Sequence, residues 1–207
     1  MTGKFVTFEG PEGSGKTSVI QRVFDHFAAL GGPVLKTREP GGSRIAEKIR
    51  DILLDNGNTE MDPRTEALLF AASRRQHLAE KVLPALAEGK LVLCDRFLDS
   101  SLAYQGVARG LGIDEVFSIN RFAIGNLLPD LTIFVNVRPE VGLARIAANH
   151  RTKVDRLDNE TVEFHHRLYE GYLELMKRYP DRIRPVDGEA PIDEVAKAAV
   201  ALIEKIL

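Results

Sequence analysis

The stretch Gly10-Pro11-Glu12-Gly13-Ser14-Gly15-Lys16-Thr17 narrows the possible folds more than any other part of the chain. It satisfies Gly-x-x-x-x-Gly-Lys-[Ser/Thr] without a mismatch. The pattern has meaning only between a strand and a helix, and its flanks supply both. Residues 4–9 set Phe5, Val6 and Phe8 around Thr7 as a short strand, and residues 18–30 place Val19, Ile20, Val23, Phe24 and Phe27 at helical spacing. In that setting the glycines let successive backbone N–H groups turn toward one anion at a helix N-terminus. Lys16 adds a positive charge near the terminal phosphates, and Thr17 offers a hydroxyl to a divalent cation. Gly10, Pro11, Glu12, Gly13, Ser14, Gly15, Lys16, Thr17 and Ser18 are therefore the expected phosphate-binding residues. The competing account, a glycine-rich turn before an ordinary helix, leaves the register of both flanks unexplained.

Composition limits what such a loop can serve. A chain of 207 residues without a Ser/Gly/Pro-rich linker is expected to form one domain, 1–207. The formal net charge is −2, and the charged residues are spread along the chain, so a nucleic-acid polymer is not an expected partner. No run of 18 apolar residues occurs, and the first strand begins where a signal peptide would lie, so the expectation is a cytoplasmic protein without a membrane span. Cys94, the single cysteine, sits in the apolar run Leu91-Val92-Leu93-Cys94 and reads as packing. The pair His165-His166 reads as two solvated side chains on different sides of a helix.

Along the chain, strands alternate with helices, which predicts a parallel sheet covered on both faces. Residues 34–37 make a second strand that runs into Arg38-Glu39-Pro40-Gly41-Gly42-Ser43, where open α/β sheets bind ligands; Arg38 fits either a phosphate or a surface pair with Glu39. Residues 44–54 form an amphipathic helix with Arg50 off its apolar face. A long helix follows Pro63, with an adjustment expected at Pro84, and carries Phe70 and Arg74 four residues apart. That pair fits base stacking and base-edge bonding, and equally fits packing with a snorkelling arginine. The apolar strand 91–94 ends in Asp95-Arg96-Phe97, a carboxylate placed to help hold Mg²⁺ beside an anion-binding arginine. No Glu follows Asp95, which favours transfer to a bound acceptor over hydrolysis.

Ser101, Tyr104 and Gln105 then share one helical face at i, i+3 and i+4, offering a hydroxyl, a phenol and an amide. The helix 114–128 carries more apolar surface than solvation needs and is a candidate dimer contact. Residues 147–158 lose apolar content and read as a mobile lid whose arginines neutralise charge, or as a polar connection between helices. A strand near 183–188 and a helix 191–207 close the chain.

From end to end the sequence resembles the bacterial thymidylate kinases. The resemblance rests on Phe8-Glu9-Gly10 with the phosphate loop, Thr37-Arg38-Glu39-Pro40-Gly41-Gly42, Asp95-Arg96-Phe97 and Ser100-Ser101-Leu102-Ala103-Tyr104-Gln105-Gly106, in that order. It implies an α/β P-loop NTPase fold, three layers around a five-stranded parallel sheet, with a short arginine-bearing lid. It implies transfer of phosphate from ATP to dTMP with Mg²⁺, supplying dTTP synthesis, by a homodimer. Residue by residue, Lys16 and Thr17 would serve ATP phosphates and metal, with Asp95 as the second metal residue. Glu12, where many relatives carry Asp, would face the deoxyribose. Phe70 would stack on thymine, Arg74 and Gln105 would read its polar edge, Ser101 would line the same pocket and Tyr104 would sit against the sugar. Arg38, Arg96 and, more weakly, Arg50 would hold the monophosphate. The loop itself lacks an arginine, so Arg151, with Arg156 second, would supply the lid charge near ATP. Two rivals remain open: a kinase of another small acceptor, and a nucleotide-binding switch without transfer. The second is disfavoured because neither Asn-Lys-x-Asp nor Asp-x-x-Gly follows the loop.

Overall fold

The computed structural model describes residues 3–148 and 155–207. Strands β1 (Lys4–Glu9), β2 (Val34–Arg38), β3 (Leu91–Asp95), β4 (Leu131–Asn136) and β5 (Ile183–Asp187) form one sheet in the order β2-β3-β1-β4-β5, every pair parallel. The helices are α1 (Lys16–Ala29), α2 (Arg44–Leu54), α3 (Pro63–His77), α4 (Leu83–Ala87), α5 (Leu98–Ser101), α6 (Ile113–Ile124), α7 (Pro139–Ala148), α8 (Val162–Arg178) and α9 (Ile192–Glu204). The five-stranded parallel sheet expected from the alternation is present.

Residue alternation along the central strand β1 divides the core. Val6 and Phe8 pack with Val19, Val23 and Phe27 of α1 and with Val195 and Ala199 of α9. Phe5 faces the other way, into a cluster with Leu78, Leu98, Leu168 and Tyr172. Each such buried side chain contributes about 1.5–3 kcal/mol, so two covered faces suffice to hold a chain of this size. On the second face Thr7 and Glu9 are polar yet fully buried, and Thr7 bonds Thr132 of β4 at 2.9 Å. Register then places the chemistry: Phe8 and Arg38 both stand opposite Asp95, so β1, β2 and β3 end together beneath the phosphate loop.

Local signals explain several boundaries. Asp62 caps α3 by accepting from the Arg64 and Thr65 N–H groups, with Pro63 at the first helical position. The adjustment expected at Pro84 lies just upstream, as a π-helical turn at Leu78–Val82. Proline at 84 removes a donor and crowds the carbonyl four residues back, which falls inside that turn. A second π-helical segment, Leu102–Ala108, follows α5. The α-helical spacing expected for Ser101, Tyr104 and Gln105 is therefore replaced by a wider turn. His165 corrects another expectation: it is buried, and only His166, near Glu140, is exposed.

Helix α7 meets the phosphate loop backbone to backbone. A Cβ on Gly142 would lie 2.4 Å from the Glu12 carbonyl oxygen, and one on Gly13 2.1 Å from the Gly142 carbonyl oxygen. Alanine in a helix interior normally gains about 0.5–1 kcal/mol over glycine, whereas forcing a methyl into filled space costs about 1–3 kcal/mol. Gly142→Ala is therefore expected to lower unfolding stability by about 1–2 kcal/mol in urea denaturation. Unchanged or raised stability would show that the contact yields freely.

Candidate active site

The phosphate loop needs left-handed backbone at Gly13 (φ 71°) and Gly15 (φ 84°), which only glycine adopts cheaply. Lys16 opens α1 and folds back over the loop, donating from Nζ to the Gly10 and Pro11 carbonyls, each at 2.9 Å, and to Ser14 Oγ at 3.1 Å. Burial, then the nearby Arg96 charge, pulls its pKa down to about 8, against the pull of Glu12, Asp95 and Glu9. Thr17 Oγ1 donates to Asp95 Oδ2 at 3.0 Å. A hydroxyl and a carboxylate are thus paired at one point, the hard oxygen donors that suit Mg²⁺. Among the described residues no three His, Cys, Asp or Glu side chains converge, so an ion held here would draw its remaining ligands from nucleotide and water.

Arg96 joins the loop to the rest of the site. Its φ is 67°, the one non-glycine in that region among the described residues, a conformation costing about 1–3 kcal/mol. The guanidinium donates to the Gly10 carbonyl and Ser100 Oγ at 3.1 Å, to Tyr172 OH at 3.2 Å and to Glu12 Oε1 at 2.7 Å. Burial works against its charge, but Glu12, Tyr104, Tyr172 and Asp95 hold the pKa well above the usual arginine value. Tyr104 OH donates to the same Glu12 oxygen at 2.6 Å. Beneath them Glu9 accepts from the Phe97 N–H at 2.8 Å, Ser100 Oγ at 2.5 Å and Tyr172 OH at 3.1 Å. Burial and the neighbouring Asp99 charge still push its carboxyl up to about 7, against Ser100, Arg96 and Phe97.

A cavity of about 840 Å³ runs past these groups, a volume suited to small-molecule ligands. Glu12, Gly13, Ser14, Gly15, Lys16, Thr17 and Ser18 line it from the loop, and Phe70, Arg74, Ser101, Tyr104 and Gln105 line it from α3 and the segment after β3. Arg38, Arg50, Asp95 and Arg96 also face it. Arg74 is almost wholly buried and donates from Nε to Glu39 at 2.8 Å, from Nη1 to Ser101 Oγ at 3.1 Å and to Asn120, and from Nη2 to the Phe97 carbonyl at 2.9 Å. That lattice fixes the guanidinium plane and leaves one Nη2 proton over. Arg38 is half exposed and lies on the Glu47 carboxylate at 3.0 and 3.1 Å, while Arg50 donates to the Pro40 carbonyl at 2.9 Å. Burial and the Arg38 charge, opposed by Asp155 and Glu47, pull the Arg50 pKa down. Crowded arginines of this kind are relieved by an anion.

The family model for thymidylate kinase matches residues 8–199. The chain belongs to the thymidylate kinase family. It is 56% identical over 207 residues to a thymidylate kinase of Bacillus licheniformis, covering 100% of this chain and 98% of that relative. It is 54% identical over 193 residues to one of Clostridium novyi, covering 93% and 94%. The crystal structure of thymidylate kinase from Ehrlichia chaffeensis aligns with a TM-score of 0.79 at 28% identity over 99% of each chain. Thymidylate kinases are kinases, so the rival reading as a switch without transfer falls away.

Against the family expectations, Gly10 and Pro11 lie behind the cavity wall and serve through their carbonyls, which orient Lys16. Arg151 and half of the expected lid, residues 149–154, lie outside the described residues. Arg156 is placed elsewhere than near a phosphate: it is buried, donating to the Leu53 carbonyl at 3.1 Å and to Glu66 at 2.5 Å, because a guanidinium leaves water only for acceptors. Arg145 lines the cavity and donates to the Gly188 carbonyl at 2.9 Å, a site position that its place within an apolar helical stripe does not signal in the sequence. Tyr172 of α8, whose hydroxyl bonds Arg96, Ser100 and Glu9, carries no local sequence signal of a place in the site. Since Lys16 is only half protonated at about pH 8, ATP affinity is expected to fall about twofold from pH 7 to 8 and then up to tenfold per pH unit, with proton uptake on binding. Calorimetry in buffers of different ionisation enthalpy measures both; an affinity flat to pH 9.5 would contradict it.

Proposed function

We propose that this thymidylate kinase family member transfers the terminal phosphoryl group of ATP to dTMP, giving ADP and dTDP, with Mg²⁺ bound at Thr17 and Asp95. The observation that carries this reading is the single cavity lined both by the phosphate loop and by Phe70, Arg74 and Gln105, with Arg96 bonded to the loop. Two nucleotides sharing one cavity allow an oxygen of the acceptor phosphate to attack the terminal phosphorus in line while the bond to the bridging oxygen breaks. No protein nucleophile is needed; placement and charge supply the rate. The loop amides and Lys16 hold the donor phosphates. Mg²⁺, when bound, neutralises charge on the phosphate oxygens. Arg96, with Arg38 and Arg50, holds the acceptor phosphate, and its bonds to Gly10 and Glu12 fix that phosphate relative to the donor. Phe70 packs on the base, Arg74 and Gln105 meet its polar edge, and Tyr104 with Glu12 closes on the sugar. Arg151 is the candidate for charge supplied from the lid.

We further infer a homodimer and a cytoplasmic location. Phe122 on α6 is 94% exposed and Leu68 on the neighbouring α3 is 57% exposed, an apolar face that a second copy would cover. No helix among the described residues is long and apolar enough to cross a membrane. Phe122→Glu is expected to shift sedimentation toward the monomer; a sedimentation coefficient equal to the parent's would move the interface elsewhere.

The reaction is tested by coupled ADP release with ATP and dTMP, dUMP, dCMP, dGMP or AMP as acceptor. Turnover highest with dTMP, and lowered at least ~100-fold in Arg96→Met, is the expected result. Highest turnover with another monophosphate would discard the thymine assignment, and unchanged turnover in Arg96→Met would discard the role of Arg96.

A further inference from the structure

Glu66 is only 1% exposed, one helical turn before Phe70 on α3, and does not line the cavity. Its Oε1 accepts from Gln105 Nε2 at 2.9 Å and Arg109 Nε at 3.3 Å, and its Oε2 from Arg109 Nη2 at 3.2 Å and Arg156 Nη2 at 2.5 Å. Arg109 is itself braced by Glu160 and lies over the Phe164 ring, 4.7 Å from its centroid. Burial pushes the Glu66 carboxyl up, but Gln105, Arg109 and Arg156 together outweigh it and hold the pKa below the usual range. Glu66 is therefore ionised and has no proton to give. The Gln105 amide must turn its NH₂ toward it, because the other orientation would set two acceptors face to face. Gln105 Oε1 is then left as a buried acceptor with no partner, on a side chain that lines the cavity. Such an orphaned carbonyl is costly unless a ligand supplies an N–H.

We propose that Glu66, clamped between Arg109 and Arg156, is a positioning residue that locks the Gln105 carboxamide in its acceptor sense and so sets which base edges the pocket takes. The inference rests on the dTMP reading above. Thymine and uracil present an N3–H donor to an acceptor; cytosine presents a lone pair there and is repelled. The same contact gives Arg156 its place: it holds Glu66, not a donor phosphate. Removing a fixed polar partner should therefore relax discrimination between bases that differ in donor pattern and spare discrimination between bases that share it.

The test compares kcat and KM for dTMP, dUMP and dCMP in the parent, Glu66→Gln, Gln105→Ala and the double variant. In Glu66→Gln the neutral amide accepts either orientation of Gln105. The dTMP-to-dCMP preference in kcat/KM is expected to fall about tenfold, mainly through KM for dTMP, with KM for ATP within about twofold. The dTMP-to-dUMP preference stays within about twofold, since both bases carry N3–H, and in the Gln105→Ala background Glu66→Gln changes neither ratio by more than about twofold. Glu66→Asp withdraws the carboxylate from Gln105 while keeping the charge that both arginines need. It covers a failure of Glu66→Gln to fold and is expected to lower the dTMP-to-dCMP ratio in the same direction. A parent that prefers dTMP, with that ratio unmoved in the folded variant, overturns this inference alone. Equal losses with and without Gln105 overturn it too, by showing a general structural effect. A parent that does not prefer dTMP removes the dTMP reading and this inference with it.

Discussion

The site depends on one mostly buried guanidinium. Arg96 is held by a loop carbonyl, a loop carboxylate, a serine and a tyrosine drawn from three separate parts of the chain, and its left-handed backbone brings it there. A buried arginine is tolerable only when its donors are met and its charge is answered. Here Glu12 answers it directly and Glu9 lies beneath, sharing Ser100 and Tyr172 with it. The arrangement ties the phosphate loop, the end of β3 and α8 into one hydrogen-bonded unit. Two phosphates on either side of that unit would be held at a fixed separation, which is what in-line transfer requires.

A second buried lattice holds the other half of the cavity. Glu39 pairs with both Arg74 and His77, at 2.8 and 2.9 Å, and His77 bonds Thr37 at 2.7 Å, so β2, α3 and α6 meet at the guanidinium of Arg74. Glu66 does the same for Gln105 with arginines from after the π-helical segment and from the Arg156–Asn159 3₁₀ turn. In each case a buried carboxylate orients a side chain that lines the cavity; Glu39 reaches the cavity wall itself, whereas Glu66 lies outside it. Polar groups buried in this way are costly one by one and stable only as complete networks, so they fix geometry that apolar packing leaves adjustable.

The parts legible in the sequence were those whose signal is local. The phosphate loop is contiguous, the strands are apolar runs, and Arg38, Asp95 and Arg96 stand at strand ends where parallel sheets bind ligands. Phe70 and Arg74 were legible as a pair because four residues make one helical turn. What the sequence hid lies in long-range partners and in departures from the α-helix. Arg156 reads as a lid charge until its carboxylate, 90 residues away, is seen. Tyr172 reads as apolar packing until Glu9 and Arg96 are placed beside it, and the wider turn at Leu102–Ala108 has no periodic signature strong enough to separate it from α-helix. His165 is buried beside an exposed His166 because adjacent helical residues differ in burial according to what packs on them, which the sequence does not state.

The central claim is that one cavity holds the donor and the acceptor together, on either side of Arg96. The most direct measurement is calorimetric binding of a bisubstrate analogue that joins adenosine to thymidine through a polyphosphate chain. The account predicts one analogue per chain, displaced by ATP and by dTMP alike and bound more tightly than either, because one ligand then satisfies both ends at a single entropic cost. An analogue that ATP displaces and dTMP does not, or that binds no more tightly than ATP, would place the two nucleotides in separate sites and contradict it.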